Sequence, residues 1–162
     1  MFGLFSNTSP TWLLTQLERH LRLLQANPHD AGAAFDFFIT AESLVDWLLP
    51  GRANKLARRN LYDQEPLLRV VSHIASSAKH YSVEAPHHKS VRSTRHSSGL
   101  FYGRLFAGRL FAGRLFSKGG LTIELDGQPA VLYGTSISAV VLTELILERM
   151  RLLVAERDPG KT

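Results

Sequence analysis

Cysteine is absent from the 162 residues, which removes disulfides, thiol nucleophiles and every cysteine-ligated zinc site, and fits a reducing compartment. Long hydrophobic runs are missing as well. The greasiest stretch, Ile137 to Ala155, is broken by Glu144, Glu148, Arg149 and Arg151, so it does not read as a membrane span and no membrane partner is expected. Residues 1–10, MFGLFSNTSP, contain no basic start and no sustained apolar core, and do not read as a secretory signal. The expected location is the cytoplasm, or a particle assembled there. A glycine-rich phosphate loop, a nucleophile elbow and paired catalytic carboxylates are also missing, so the chain leans away from an enzyme and no cofactor is expected.

Acidic residues are scarce in one place only. Residues 79–118 hold eight Lys/Arg (Lys79, Lys89, Arg92, Arg95, Arg104, Arg109, Arg114 and Lys118) against Glu84 alone, a formal +7. Residues 1–78 are balanced, and residues 119–162 carry −2. The whole-chain excess of +5 therefore originates in the middle, which also contains His80, His87, His88 and His96. A charge asymmetry of this kind points to a polyanionic partner.

Apolar periodicity supplies the frame. Ser9-Pro10 suits a helix start, and Leu13, Leu17, Leu21 and Leu24 recur at helical spacing until Asn27-Pro28. Asp30 caps a second helix, apolar nearly all round, whose polar stripe Asp36, Thr40 and Ser43 is expected to face His73 or Lys79 across the core. Pro50-Gly51 ends it. RANKLARRN, residues 52–60, reads as a short exposed helix or a loop. Asp63, with Glu65 and Pro66, opens a third helix with Leu67, Val70, Val71, Ile74 and Ala78 inward, ending near Tyr81. A long basic loop, residues 85–99, follows. LTIEL, residues 121–125, alternates as a strand. Asp126-Gly127 is a hairpin signal with Ala130 to Tyr133 as the returning strand, and Ser136 caps a final helix of about 30 Å.

GRLFAGRLFAGRLF, residues 103–116, repeats a five-residue unit. In a helix each repeat would rotate by about 140°, scattering Leu and Phe around the cylinder. Each of Gly103, Gly108 and Gly113 would also cost about 1 kcal/mol relative to Ala. In a plain strand an odd period sends Arg104, Arg109 and Arg114 to alternating faces; one bulge or turn per unit, at glycine, realigns them. A bent ribbon is expected, with arginines on one side and Leu-Phe pairs on the other. Exposed Phe106, Phe111 and Phe116 need cover, so a homo-oligomer joined through the ribbon is one expected use.

The mixture of cations with Phe101, Tyr102 and the repeat phenylalanines also suits a phosphate backbone with stacked bases. Lys89, Arg92, Arg95, Arg104, Arg109 and Arg114 are the candidate nucleic-acid-binding residues; the bland alternative is a solvated loop whose charges protect strand edges. Arg69 and His73 share a helix face, and the pair resembles the Arg and His of HEPN-type helical ribonucleases, where the two stand slightly further apart. That resemblance implies an RNase in which both side chains converge on a phosphate, and it makes Arg69 and His73 the candidate catalytic residues. The alternative is a surface Arg beside a hydrogen-bonded His. His73 and His80 lie two turns apart, a spacing unsuited to a helical metal pair, and no metal site is expected.

FDFFITAESLVDWLLPG (residues 35–51) and LLRVVSHIASSAKHYSVEAPHHKSV (residues 67–91) resemble a family of small uncharacterised bacterial and phage-associated proteins. The matching positions are Phe37, Phe38, Thr40, Ala41, Asp46, Trp47, Ser72, His73, Ile74, Ala75, Lys79 and His80. The resemblance implies no established activity. The chain departs from that pattern at Ser76-Ser77 and in its Gly-Arg-Leu-Phe-Ala unit.

The expected architecture is one α+β domain over residues 1–162, a helical bundle of three N-terminal helices (residues 1–83) and one C-terminal helix (residues 135–158). Inserted between them, at residues 84–134, come the basic loop, the repeat ribbon and a β-hairpin. The expected function is a non-enzymatic accessory protein binding a polyanion, most plausibly nucleic acid, through residues 79–118. The alternatives are a self-assembling structural module and a HEPN-like RNase.

Overall fold

A short, steep start sets the first helix. Ser9 accepts a hydrogen bond from the Trp12 N–H and Pro10 fills the first turn, so α1 runs Pro10–Ala26 with Leu13, Leu17, Leu21 and Leu24 buried along one face. The computed structural model describes residues 9–79, 90–96 and 119–157. Asp30 accepts from the Ala33 N–H and opens α2, Ala31–Leu48. Trp12 at the start of α1 stacks on Trp47 at the end of α2, ring centroids 6.4 Å apart, so the two helices run antiparallel. At the heart of α2, Phe37 and Phe38 meet edge to face at 5.8 Å and are shielded from solvent.

RANKLARRN resolves as a 3₁₀ turn, Arg52–Asn54, followed by a helix of its own, α3, Lys55–Gln64. The expected opening of the next helix at Asp63 is corrected. Asp63 belongs to α3, and α4, Pro66–Lys79, begins at the proline after Glu65, which closes α3. Among the described side chains of α4, Leu67, Leu68, Val70, Val71 and Ala75 are buried and Ile74 is half-buried; Ala78, expected inward, lies outside them. The expected end of this helix near Tyr81 lies outside the described residues.

The middle of the chain departs furthest from expectation. Val91–His96, placed in the basic loop, is a strand, β1. It pairs antiparallel with β2, Leu121–Leu125, which pairs in turn with β3, Ser136–Ser138, giving a three-stranded antiparallel sheet in the order β1-β2-β3. Asp126-Gly127 does not turn a hairpin. Asp126 accepts from the Gly127 N–H as the cap of a short helix, α5, Gly127–Tyr133, so the residues expected to return as a strand are helical. Pro129 sits in its first turn, where the missing N–H costs nothing but where a paired strand would need a donor. Gly134, at φ +88°, ends α5. Ser136, expected to cap the last helix, lies in β3 opposite Glu124, and α6 starts three residues later, Ala139–Arg157.

The core is filled by the inner faces of α1, α2, α4 and α6 together with Leu121, Ile123 and Leu125 of β2. From α6, Leu142, Ile146, Met150 and Leu153 are almost wholly excluded from solvent. Two polar ties align α6 against α1: Gln25 donates to Glu144 at 2.8 Å, and Arg151 pairs with Glu18 at 2.8 Å. Among the described residues no helix is long and apolar enough to cross a membrane. The described residues are therefore mostly helical with one small antiparallel sheet, an α+β fold.

The polar stripe of α2 turns to its own helix rather than to His73, and the Lys79 side chain of the expected pairing lies outside those described. Asp36 is exposed, Thr40 donates to its carbonyl at 2.7 Å, and Ser43 donates to the Ile39 carbonyl at 2.9 Å, so the helix satisfies its own stripe at i−4. Asp36 instead acts electrostatically on His20 of α1. Burial pushes the His20 imidazole below its ordinary value, with Asp36 partly opposing and Arg19 adding to the effect, and its Nδ1 is buried without a hydrogen-bond partner. Between the lowered folded value and the unfolded value near 6.5, the unfolded chain binds the extra proton, so stability falls as pH drops below about 6.5. His20→Gln should flatten that part of the decline, read as the urea midpoint of variant and parent measured between pH 7.5 and 5.

Candidate nucleic-acid interface

Only two of the six candidate phosphate-binding residues, Arg92 and Arg95, fall within the described residues; Lys89, Arg104, Arg109 and Arg114 lie outside them, as do the repeat and its expected bent ribbon. Arg92 and Arg95 stand on β1, and the strand's register explains where they go. Val91 pairs with Leu125 and Ser93 with Glu124, so Arg92 is the extra residue of a bulge. An uninterrupted strand would carry Ser93 and Arg95 to the same face as Val91, over the core. The bulge reverses the alternation and turns Arg95 and Ser93 outward beside Thr122 and Glu124.

On that outer face both arginines already have carboxylate partners. Arg95 Nε lies 3.1 Å from Glu124, whose other oxygen accepts from the Ser93 hydroxyl at 2.6 Å, and Arg92 lies 3.6 Å from Asp126. The arginine side chains remain 68% and 70% exposed, respectively. The Arg92–Asp126 pair is exposed on both sides, and pairs of that kind contribute only about 0–1 kcal/mol, so a phosphate can displace Asp126 at little cost; Glu124 is only 21% exposed and stays tied to Ser93.

The β1–β2 register brings the two ends of residues 97–120 together. His96, the last residue of β1, is the register partner of Leu121, the first of β2, so residues 97–120 leave and return at one point. That point is fixed to the helices. Leu121 N–H donates to the Pro28 carbonyl at 2.7 Å, and a Cβ on Gly120 would come within 2.8 Å of Pro28 Cβ and 2.9 Å of its carbonyl oxygen. The α1–α2 turn thus sits directly on the strand's backbone. Beside it, His29 and His96, both exposed, stack with centroids 6.0 Å apart and planes 22° from parallel. Sequence reasoning gave no signal for this pair, because His96 is positioned only once β1 exists.

No family model, curated protein or solved structure matches this chain.

Arg69 and His73, the candidate catalytic pair, lie one turn apart on α4, and both are engaged with backbone. Arg69 donates to the carbonyls of Tyr62 at 3.4 Å and Asp63 at 2.7 Å, capping the end of α3. His73 Nδ1 accepts from the N–H groups of Ser90, at 3.2 Å, and Val91, at 3.0 Å. Two donors on one nitrogen make Nδ1 the unprotonated one and place the neutral ring's proton on Nε2. Fully buried Ser90 joins the two, its hydroxyl donating to the Arg69 carbonyl at 3.3 Å and lying 3.1 Å from His73 Nδ1. The arrangement holds the entry of β1 against α4.

His73→Ala leaves the Ser90 and Val91 N–H groups without their acceptor and should destabilise the fold by about 2–3 kcal/mol. His73→Asn, whose Oδ1 can occupy the Nδ1 position, should recover at least half of that loss. Urea denaturation of the three proteins checks both expectations.

Other cations offer a competing surface. On the 3₁₀ turn and α3, Arg52 and Lys55 are exposed and lack acidic partners among the described residues, whereas Arg58 pairs with Asp46 at 3.3 Å and donates to the Leu49 and Gly51 carbonyls at the end of α2. Among the described residues no group of three or more His, Asp or Glu could hold a metal ion.

Proposed function

We propose that the protein binds a polyanion, nucleic acid in particular, through the basic segment 79–118. The observation that carries this reading is the isolation of the positive charge. Eight cations face one acid in forty residues, while the rest of the chain is neutral or acidic. The fold supports the reading by gathering the exit and return of residues 97–120 at one hairpin mouth, with Arg92 and Arg95 exposed on the strand beside it. Arginines five residues apart along an extended chain are about 17 Å from one another, which suits contacts several nucleotides apart along a strand. The finer architecture we propose is a helical bundle that holds this hairpin, with the helices as scaffold and the segment as the binding element.

Titration with single-stranded and duplex oligonucleotides at 50 and 200 mM salt tests the reading. Phosphate contacts release counterions, so affinity must fall steeply between the two conditions. Absence of binding at the lower salt would sink it.

A further inference from the structure

Two imidazoles stacked in the open, at the point where a basic segment departs, are in a position to receive a base. His29 follows Pro28, whose carbonyl accepts the Leu121 N–H at 2.7 Å, and His96 is the register partner of Leu121. Each ring is therefore anchored within one residue of the same clamp, where Gly120 leaves no room for a Cβ against Pro28. The rings are near-parallel at 22°, both exposed, and among the described residues their nitrogens have no hydrogen-bond partner. Nothing in the core requires them. The two backbones are tied together at this point and the rings stack on each other, so a ligand would meet a π surface that is already assembled.

We infer that the His29–His96 pair is a stacking platform for an unpaired base, which makes single-stranded nucleic acid the ligand. This rests on the polyanion reading above and deepens it. Phosphates are common to single strands and duplexes, but only a single strand can turn a base face outward to a ring without breaking pairs. His96 and Leu121 are register partners at the end of the β1–β2 pair, so the ring pair stands at the boundary of the basic stretch of sequence.

The experiment compares three fluorescent ligands of equal length by anisotropy: a single-stranded oligonucleotide, its duplex, and an abasic strand with the same phosphates. His96→Ala and His29→Ala are each expected to weaken the single strand about tenfold, while the duplex and the abasic strand change by less than about twofold. His96→Phe, which keeps a ring, should stay within about twofold of the parent on the single strand. Thermal melts of all variants confirm the fold, which exposed positions should leave intact. Equal losses on all three ligands overturn the platform, because the histidines would then act on phosphate. No loss on the single strand, with parent binding intact, overturns the platform and leaves the polyanion reading standing. A parent protein that binds none of the ligands overturns both.

Discussion

Replacing Arg104, Arg109 and Arg114 together by serine should make the negative slope of log affinity against log salt shallower by about 2–3 for nucleic acid, because each lost phosphate contact releases about 0.7–0.9 fewer counterions. Across a fourfold rise in salt, the parent should therefore weaken about 20- to 40-fold more than the variant. The effect is confined to the slope and the low-salt affinity. Sequence preference should not change, since contacts to phosphate carry no base information. The comparison is made by anisotropy at four salt concentrations on one oligonucleotide. An unchanged slope would mean that the repeat arginines do not touch the polyanion.

Phe37→Ala should be the most damaging single change to stability, costing about 3–5 kcal/mol. Phe37 is completely buried in the middle of α2, and its ring meets Phe38 edge to face, so truncation both removes apolar burial and opens a cavity at the centre of the core. Domains of this size are stable by only about 5–15 kcal/mol, so the variant should lose a large share of its folding free energy. Phe37→Leu should recover more than half. Urea unfolding followed by circular dichroism reads both. A loss below about 1 kcal/mol for the alanine variant would show that the helices do not close on α2 as described.

The helices were legible where capping and periodicity agree. Ser9 and Asp30 each accept the N–H that their position in sequence promises, and the four leucines of α1 are all buried. The sheet was legible only at β2, whose Leu121, Ile123 and Leu125 alternate because this strand alone sends three apolar side chains into the core. Strand β1, Val-Arg-Ser-Thr-Arg-His, lies at the edge with only Val91 joining the core, and its bulge at Arg92 shifts the alternation midway. Period two is therefore erased in sequence. Asp126-Gly127 misled because the same dipeptide can turn a hairpin or cap a helix; Pro129, which cannot donate to a ladder, was the deciding residue. Ser136 and Ser138 look like cap residues, but Ile137 between them is the register partner of Ile123, and that pairing claims the segment for the sheet.

The candidate site was legible as charge and not as geometry. Counting residues isolates the basic segment, but the carboxylates that hold Arg92 and Arg95, namely Asp126 and Glu124, are about thirty residues downstream and meet them only through the β1–β2 register. In the same way, the i, i+4 spacing of Arg69 and His73 predicts a shared face, yet what each side chain reaches is set by the end of α3 and the start of β1. Long-range pairing of this kind leaves no local trace.

The most direct test of where the polyanion lies is ultraviolet crosslinking to a bromodeoxyuridine-substituted single strand, followed by mass mapping of the modified peptides. Adducts should fall within residues 79–118 and on His29 in the turn beside the hairpin mouth. Adducts confined to the 3₁₀ turn and α3, where Arg52 and Lys55 offer the competing cations, would contradict the assignment of binding to the basic segment.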